Sequence, residues 1–143
     1  MNSKELFVRD TTVIKKSDNL FTVEVSDNWS IGNTANGGYS MTLAAKAMSE
    51  FLEHKDPLSI SAHYLDRVDF GATELLVTHL SSSKSLSTAR VELIQNNKIK
   101  IIFIGTFTDF SFKNDMNIYE RDVPSFPDYE SCEVIPYKEG FNP

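Results

Sequence analysis

The stretch from Gly37 to about Glu53 reads as a helix with almost no face fit for water. Met41, Ala44, Ala45, Met48, Phe51 and Leu52 recur at helical spacing, and Leu43 and Ala47 widen the apolar surface most of the way round. Lys46, Ser49 and Glu50 are its main polar relief. Such a helix must be enclosed, so the rest of the chain has to supply walls on most sides.

The walls read as strands. Leu20 to Val25 puts Phe21, Val23 and Val25 on one face and Thr22 and Glu24 on the other. Asp27 to Asn36 is rich in Asn, Ser, Thr and Gly, the composition of a loop. The helix is expected to stop at His54-Lys55-Asp56-Pro57, because proline disfavours a helical residue before it and has no N–H to donate. Strand-like runs follow at 58–65, 73–80, 86–95 and 99–107. The third alternates well, with Ala89, Val91 and Leu93 inward against Thr88, Arg90 and Glu92. Between the last two lies Asn96-Asn97, a pair that tolerates the positive φ of a tight hairpin. Strand, helix, then four strands in a meander predicts an α+β fold over residues 1–112, an antiparallel sheet of about five strands wrapped around one central helix.

Beyond Phe112 the periodicity fades. With Pro124, Pro127, Pro136 and Pro143, residues 113–143 read as an extended tail or inter-domain linker whose Tyr119, Phe126, Tyr129 and Tyr137 can lie along a protein surface. The chain carries 14 Lys and Arg against 20 Asp and Glu, a net charge of −6, and seven of those acids fall in the tail. A nucleic acid is therefore not expected as a partner. The single cysteine, Cys132, leaves no intrachain disulfide and no cysteine-cluster metal site. The opening MNSKELFVRD has no apolar signal core, and the longest strongly apolar run is Ile101-Ile102-Phe103-Ile104. No membrane span is expected, and the expected location is the cytoplasm.

Most short motifs fail on inspection. Gly32 to Tyr39 has the glycine spacing of a phosphate loop, but Gly38-Tyr39 stands where Lys and Ser or Thr are required. Ser81-Ser82-Ser83-Lys84 fits S-x-x-K, yet that chemistry needs a helix to return the lysine to the serine, and this stretch lies between strands. His54, His63 and His79 show no metal-ligand spacing. What stands out is Gly37-Gly38 at the first turn of the apolar helix, where each glycine costs about 1 kcal/mol relative to alanine. Two reasons are open. The helix start is squeezed against the sheet so that no Cβ fits, or unobstructed N–H groups there form a donor site for a carbonyl oxygen that becomes an oxyanion.

Several segments together resemble a known family. Asn36-Gly37-Gly38-Tyr39, then Asp56 to Leu65 (DPLSISAHYL), then Lys84 to Val91 (KSLSTARV), ending in Gly105-Thr106-Phe107, are similar to the first hotdog domain of the acyl-CoA thioesterase II (TesB-like) family. The resemblance runs from about Trp29 to Phe107. It implies a sheet wrapped around a central helix, thioester hydrolysis, and a pantetheine arm entering between two hotdog units. Three departures stand out. Asp66-Arg67 replaces the Arg-Pro-like pair usual after this strand, and Ser83 replaces a turn glycine. Two-domain members also draw their water-activating Asp, with a Thr or Ser and a Gln, from the second unit, whereas the helix here places no carboxylate before Glu50, about three turns from its start.

The expected function is thus a single hotdog domain that handles acyl-CoA or another acyl thioester and pairs as a homodimer or with a second hotdog unit, without cofactor or metal. Gly38 N–H is the expected carbonyl donor, with Gly37 behind it. Asn36 or Asn33 would position water, and His63 is the candidate base if it faces the cleft. Trp29, Tyr39 and Met41 would line the acyl channel, while core packing is the commoner role for such residues. Asp27 is the nearest upstream carboxylate. The rival reading is a hotdog binding or assembly module that has lost hydrolysis. A hydratase on the same architecture would need a His and Asp pair for which no motif is present. If Gly38 donates to the thioester, Gly38→Val lowers turnover by roughly a hundredfold or more in a folded protein. A Gly38→Val variant that is destabilised yet fully active per folded molecule would assign the glycine to packing.

Overall fold

The structure, a computed structural model, describes residues 2–111, 121–122 and 124–133. The chain runs α1 (Ser3–Asp10), β1 (Ile14–Lys15), β2 (Leu20–Val25), a 3-10 turn (Asp27–Trp29), β3 (Ser30–Ile31), β4 (Thr34–Ala35), α2 (Gly37–Phe51), β5 (Asp56–Tyr64), β6 (Gly71–Ser82), β7 (Ser87–Gln95) and β8 (Lys98–Thr108). A six-stranded antiparallel sheet has the order β1-β2-β6-β7-β8-β5, and β3-β4 form a separate ribbon. The sheet encloses α2 as its apolar girth demands. Leu43, Ala44, Ala47 and Met48 have no exposure and share one core with Leu75, Val77, Val91, Leu93 and Phe103 of the sheet.

Local chemistry sets the ends of α2. Asn36 caps its start, and at its finish the chain turns extended at Leu52, where Lys55 Nζ donates to the carbonyls of Ser49 at 2.7 Å and Leu52 at 2.6 Å. Asn96 and Asn97 take φ of 51° and 60° in the β7–β8 hairpin, the left-handed conformation their type tolerates. The meander is shorter than expected. β6, β7 and β8 follow one another, but β5 pairs with β8 at the far edge of the sheet, because β6 is taken on its other side by β2 through Leu20↔Leu76 to Val25↔Gly71. Alternation tells which face a strand buries and is silent about its neighbour.

The expected loop from Asp27 to Asn36 holds the 3-10 turn and the short β3–β4 ribbon, and two elements before β2 also lie outside the expected set. β1 is only two residues long, and α1 is a short helix whose sign was the Asn2-x-x-Glu5 capping box: Glu5 N–H donates to Asn2 Oδ1 at 2.9 Å and Asn2 N–H to Glu5 Oε2 at 3.1 Å. Contacts divide the chain into Met1–Phe110 and Ser111–Pro143. In the second unit Tyr129–Ser131 forms one 3-10 turn, closed by Ser131 N–H to the Asp128 carbonyl at 2.9 Å. Most of the expected tail, including Tyr119 and Tyr137, lies outside the described residues. No helix among the described residues is long and apolar enough to cross a membrane.

At Gly105 the sheet approaches α2 too closely to admit a side chain freely. A Cβ built there would lie 2.5 Å from Met48 Sδ, 3.1 Å from the Phe107 ring and 3.3 Å from Ile60, so contact arrives from three sides. Gly105→Ala is expected to destabilise the fold by about 1–3 kcal/mol, the range for overpacking a filled core, and to lower the urea midpoint accordingly. An unchanged midpoint would mean that Met48 can swing aside at no cost.

Candidate functional site

The start of α2 is held from two directions. Asn36 accepts at Oδ1 from Gly38 N–H at 2.7 Å and Tyr39 N–H at 3.4 Å, and its own N–H donates to the Trp29 carbonyl at 2.8 Å. Among the described residues, Gly37 N–H has no hydrogen-bond partner. It is an unsatisfied donor at the positive end of a fifteen-residue helix. Gly37 also lines a cleft of about 320 Å³ with Thr34, Tyr64, Asp66, Arg67 and Val68. A larger groove of about 850 Å³ is lined by Arg9, Asp10, Ile14, Asp27 and Phe70 among others, and includes no residue of the helix start.

Side chains distant in sequence fix the cleft walls. Thr34 Oγ1 and Ala35 N–H both donate to the Val68 carbonyl, at 2.9 and 3.0 Å, tying β4 to the loop after β5. That loop is tied in turn by Leu65 and Asp66 N–H to the Lys100 carbonyl at 2.9 and 3.0 Å. Buried Gln95 also grips Asp69, accepting from its N–H at 2.9 Å and donating to its carbonyl at 2.8 Å. Tyr64 OH donates to the Gly37 carbonyl at 3.2 Å, and its ring lies so near that a Cβ on Gly37 would sit 2.8 Å from the phenol oxygen. A Cβ on Gly38 would meet only Asn36 Oδ1, at 3.2 Å. The two glycines thus differ: Gly37 is the crowded one with an unpartnered N–H, and Gly38, the expected donor, already gives its N–H to the cap.

The structure keeps Asn36, Gly37 and Gly38 at the helix start, joins Trp29 and Tyr39 to Asn36 through backbone groups, and sets the other expected residues off the cleft. Because Tyr64 reaches the helix and Ile60 and Ala62 pack on the core, alternation puts His63 on the outer face of β5, exposed and directed away from Gly37. His63 is therefore not a base for this helix start within one chain. Asn33 is exposed in the turn between β3 and β4, and Asp27 is exposed in the 3-10 turn. Tyr39 is buried, while Trp29 and Met41 are half-buried against the core; none of the three lines the cleft. Sequence reasoning missed Tyr64 as a neighbour of Gly37, although its place on the inward register of Ile60 and Ala62 was a usable signal. It also missed Asp66 with Lys100, which are 34 positions apart.

Lys100 is buried, yet its ammonium reaches Asp66 Oδ2 at 2.8 Å and stands 3.9 Å from Asp69 Oδ2. The hydrogen bond from Lys100, aided by the Arg67 N–H, holds the Asp66 carboxyl below its ordinary 3.8. This group stabilises the folded chain fully above the unfolded value near 3.8, and its contribution disappears as the pH falls through the lower folded value. The Asp66 carboxyl carbon, followed by NMR, should titrate below 3.8 in the wild type and return towards that value in Lys100→Met. Equal midpoints in the two proteins would show that the ion pair does not form in solution.

Residues 25–109 match the family model of the acyl-CoA thioesterase N-terminal domain. No curated protein matches the sequence. Among solved structures, the fold is similar to a proposed thioesterase II of Thermobifida fusca, with a TM-score of 0.81 at 21% identity over 96% of this chain and 51% of that one. It is also similar to the tesB protein of Mycobacterium avium subsp. paratuberculosis (TM-score 0.76, 20% identity, 91% of this chain, 50% of that one). A protein with a hot dog fold from Alicyclobacillus acidocaldarius gives 0.76 at 12% identity over 87% of this chain and 47% of that one. This chain spans about half the length of each. At these identities the likeness is one of fold, and the sheet wrapped around α2 is the hotdog fold. The family match takes in more than half of the sequence, with the helix start, the cleft and all of β5 to β8, so the chain belongs to the acyl-CoA thioesterase N-terminal domain family.

Proposed function

We propose that this chain is a thioesterase-like hotdog unit of the cytoplasm that receives an acyl thioester, acyl-CoA above all, with the thioester carbonyl at the start of α2. The observation that carries the reading is the unpartnered Gly37 N–H beside a cleft. When water attacks the thioester, the carbonyl oxygen gains negative charge, and a donor fixed in advance at a helix N-terminus stabilises that charge without rearranging. Arg67 at the cleft adds a guanidinium with no ion pair among the described residues, suited to the phosphates of a CoA thioester.

Activation of the water is assigned to a second hotdog unit. Among the described residues Asp66 is the one carboxylate lining the cleft, and Lys100 holds it ionised and engaged, which makes it a poor proton acceptor. β5 ends the sheet with one side unpaired, and Leu58, Tyr64 and Leu65 are more than half exposed along and just beyond it. A second copy or a second hotdog unit can continue the sheet there. The same locked carboxylate supports the alternative of a binding module without hydrolysis.

A backbone substitution separates donor from packing. Gly37 is the first helical residue and Asn36 before it is extended (φ −59°, ψ 138°), so the backbone accepts proline there, which removes the N–H and adds the same Cβ against Tyr64 as alanine does. Gly37→Ala adds a Cβ against Tyr64 but keeps the donor. With acyl-CoA and a thiol-reactive dye, Gly37→Pro is expected to turn over roughly a hundredfold more slowly than Gly37→Ala. Equal rates in the two variants would remove the donor role, and a wild type that hydrolyses no acyl-CoA, alone or with a second hotdog unit, would favour the binding module.

A further inference from the structure

We propose that α1 is a strap that positions the start of α2, with Asp10 as its anchor. The inference goes beyond the thioester reading and takes from it only the assignment of the helix start as the site. Asp10 closes α1 and is 7% exposed. Its Oδ1 is held by Arg9, through Nε at 2.7 Å and Nη2 at 2.6 Å. Its Oδ2 accepts from Asn28 Nδ2 at 2.9 Å and from the Trp29 indole N–H at 3.1 Å. Its backbone carbonyl accepts from Tyr39 OH at 2.8 Å, and the same phenol oxygen accepts from Ser26 N–H at 3.2 Å.

Two of these ties, through Trp29 and through Tyr39, lead to the residues on either side of Gly37. The Trp29 carbonyl holds Asn36 N–H at 2.8 Å, and Asn36 caps Gly38; Tyr39 is itself in the first turn of α2. Ring contacts run beside the hydrogen bonds: Phe7 of α1 meets Trp29 edge-on at 5.0 Å, and Trp29 lies 6.3 Å from Tyr39. A buried carboxylate is costly unless it is paired and hydrogen-bonded. Both oxygens of Asp10 are occupied, so it is not available to a ligand or to a reacting water, and what it does is orient its donors. Burial raises its pKa, but the hydrogen bonds from Asn28, Arg9 and Trp29 outweigh that and hold it below 3.8, so the strap stays charged throughout the neutral range. α1 also precedes the segment that matches the family model, which begins at residue 25. Asp10 is accordingly a positioning residue and not a catalytic one.

Asp10→Asn in the full chain tests this, and Trp29, the only tryptophan, reports on the tie directly. The expected results are a shift in Trp29 emission and amide exchange at Asn36 and Gly38 faster by roughly five- to tenfold, the effect of loosening one cap. Exchange at Leu43 to Met48 should be unchanged, and the loss of acyl-CoA turnover should fall on kcat rather than KM. Uniformly faster exchange along α2 would make Asp10 a general stabiliser and overturn the proposal, as would unchanged exchange at Asn36 and Gly38. Should Asp10→Asn fail to fold, Tyr39→Phe removes the second tie, together with the bond from Ser26 N–H, and is judged by the same exchange criterion. A wild type without turnover defeats the thioesterase reading, while the exchange measurement still decides the strap.

Discussion

Burial of α2 against the inner face of the sheet is the constraint from which the rest of the molecule follows. Leu43, Ala44, Ala47 and Met48 leave water entirely, and side chains of that kind contribute roughly 1.5–3 kcal/mol each for the larger ones. The backbone groups at each end of such a helix have no partner within it. Its first turn is capped by Asn36 and its last by Lys55, and the sheet approaches so closely at Gly105 that a single methyl group would strike Met48. Among the described residues, the Gly37 N–H is left without a partner, at the end of the helix that opens on the cleft.

The cleft inherits its rigidity from the sheet. Gln95 and Lys100, buried polar residues at opposite sides of the β7–β8 hairpin, would be expensive in an apolar interior without partners. Each meets its partners in the loop between β5 and β6, Gln95 at Asp69 and Lys100 at Asp66. That loop forms one wall of the cleft, so the residues that satisfy buried polar groups also define the site. The same economy keeps Asp66 ionised and paired with Lys100. On the proposed reading, this leaves the cleft with a backbone donor and, among the described residues, no carboxylate free of an ion pair.

Much of the fold was legible in the chain. Leu20–Val25 forms as expected, and the alternation of Ala89, Val91 and Leu93 marks the buried face of β7. The left-handed pair Asn96-Asn97 closes the hairpin its type suggests. These are local regularities, set by periodicity and by the conformational preferences of single residues. The place of β5 was not legible, because a strand's pattern records its buried face and not its neighbour. α1 was overlooked because its apolar face is short, although its capping box was present in Asn2 and Glu5.

The site divides in the same way. The sequence by itself determined that a glycine pair follows Asn36 at the start of a helix that must be buried, and hence that backbone donors concentrate there. Tertiary structure decided which of those donors is engaged, turned His63 to the outer face, set Tyr64 over Gly37, and paired Asp66 with Lys100 and Asp10 with Trp29. The reason is physical. Helix and strand periods are written in residues a few positions apart, whereas the neighbours of a free N–H or a carboxylate come from strand register and loop closure across tens of residues, which no local pattern encodes.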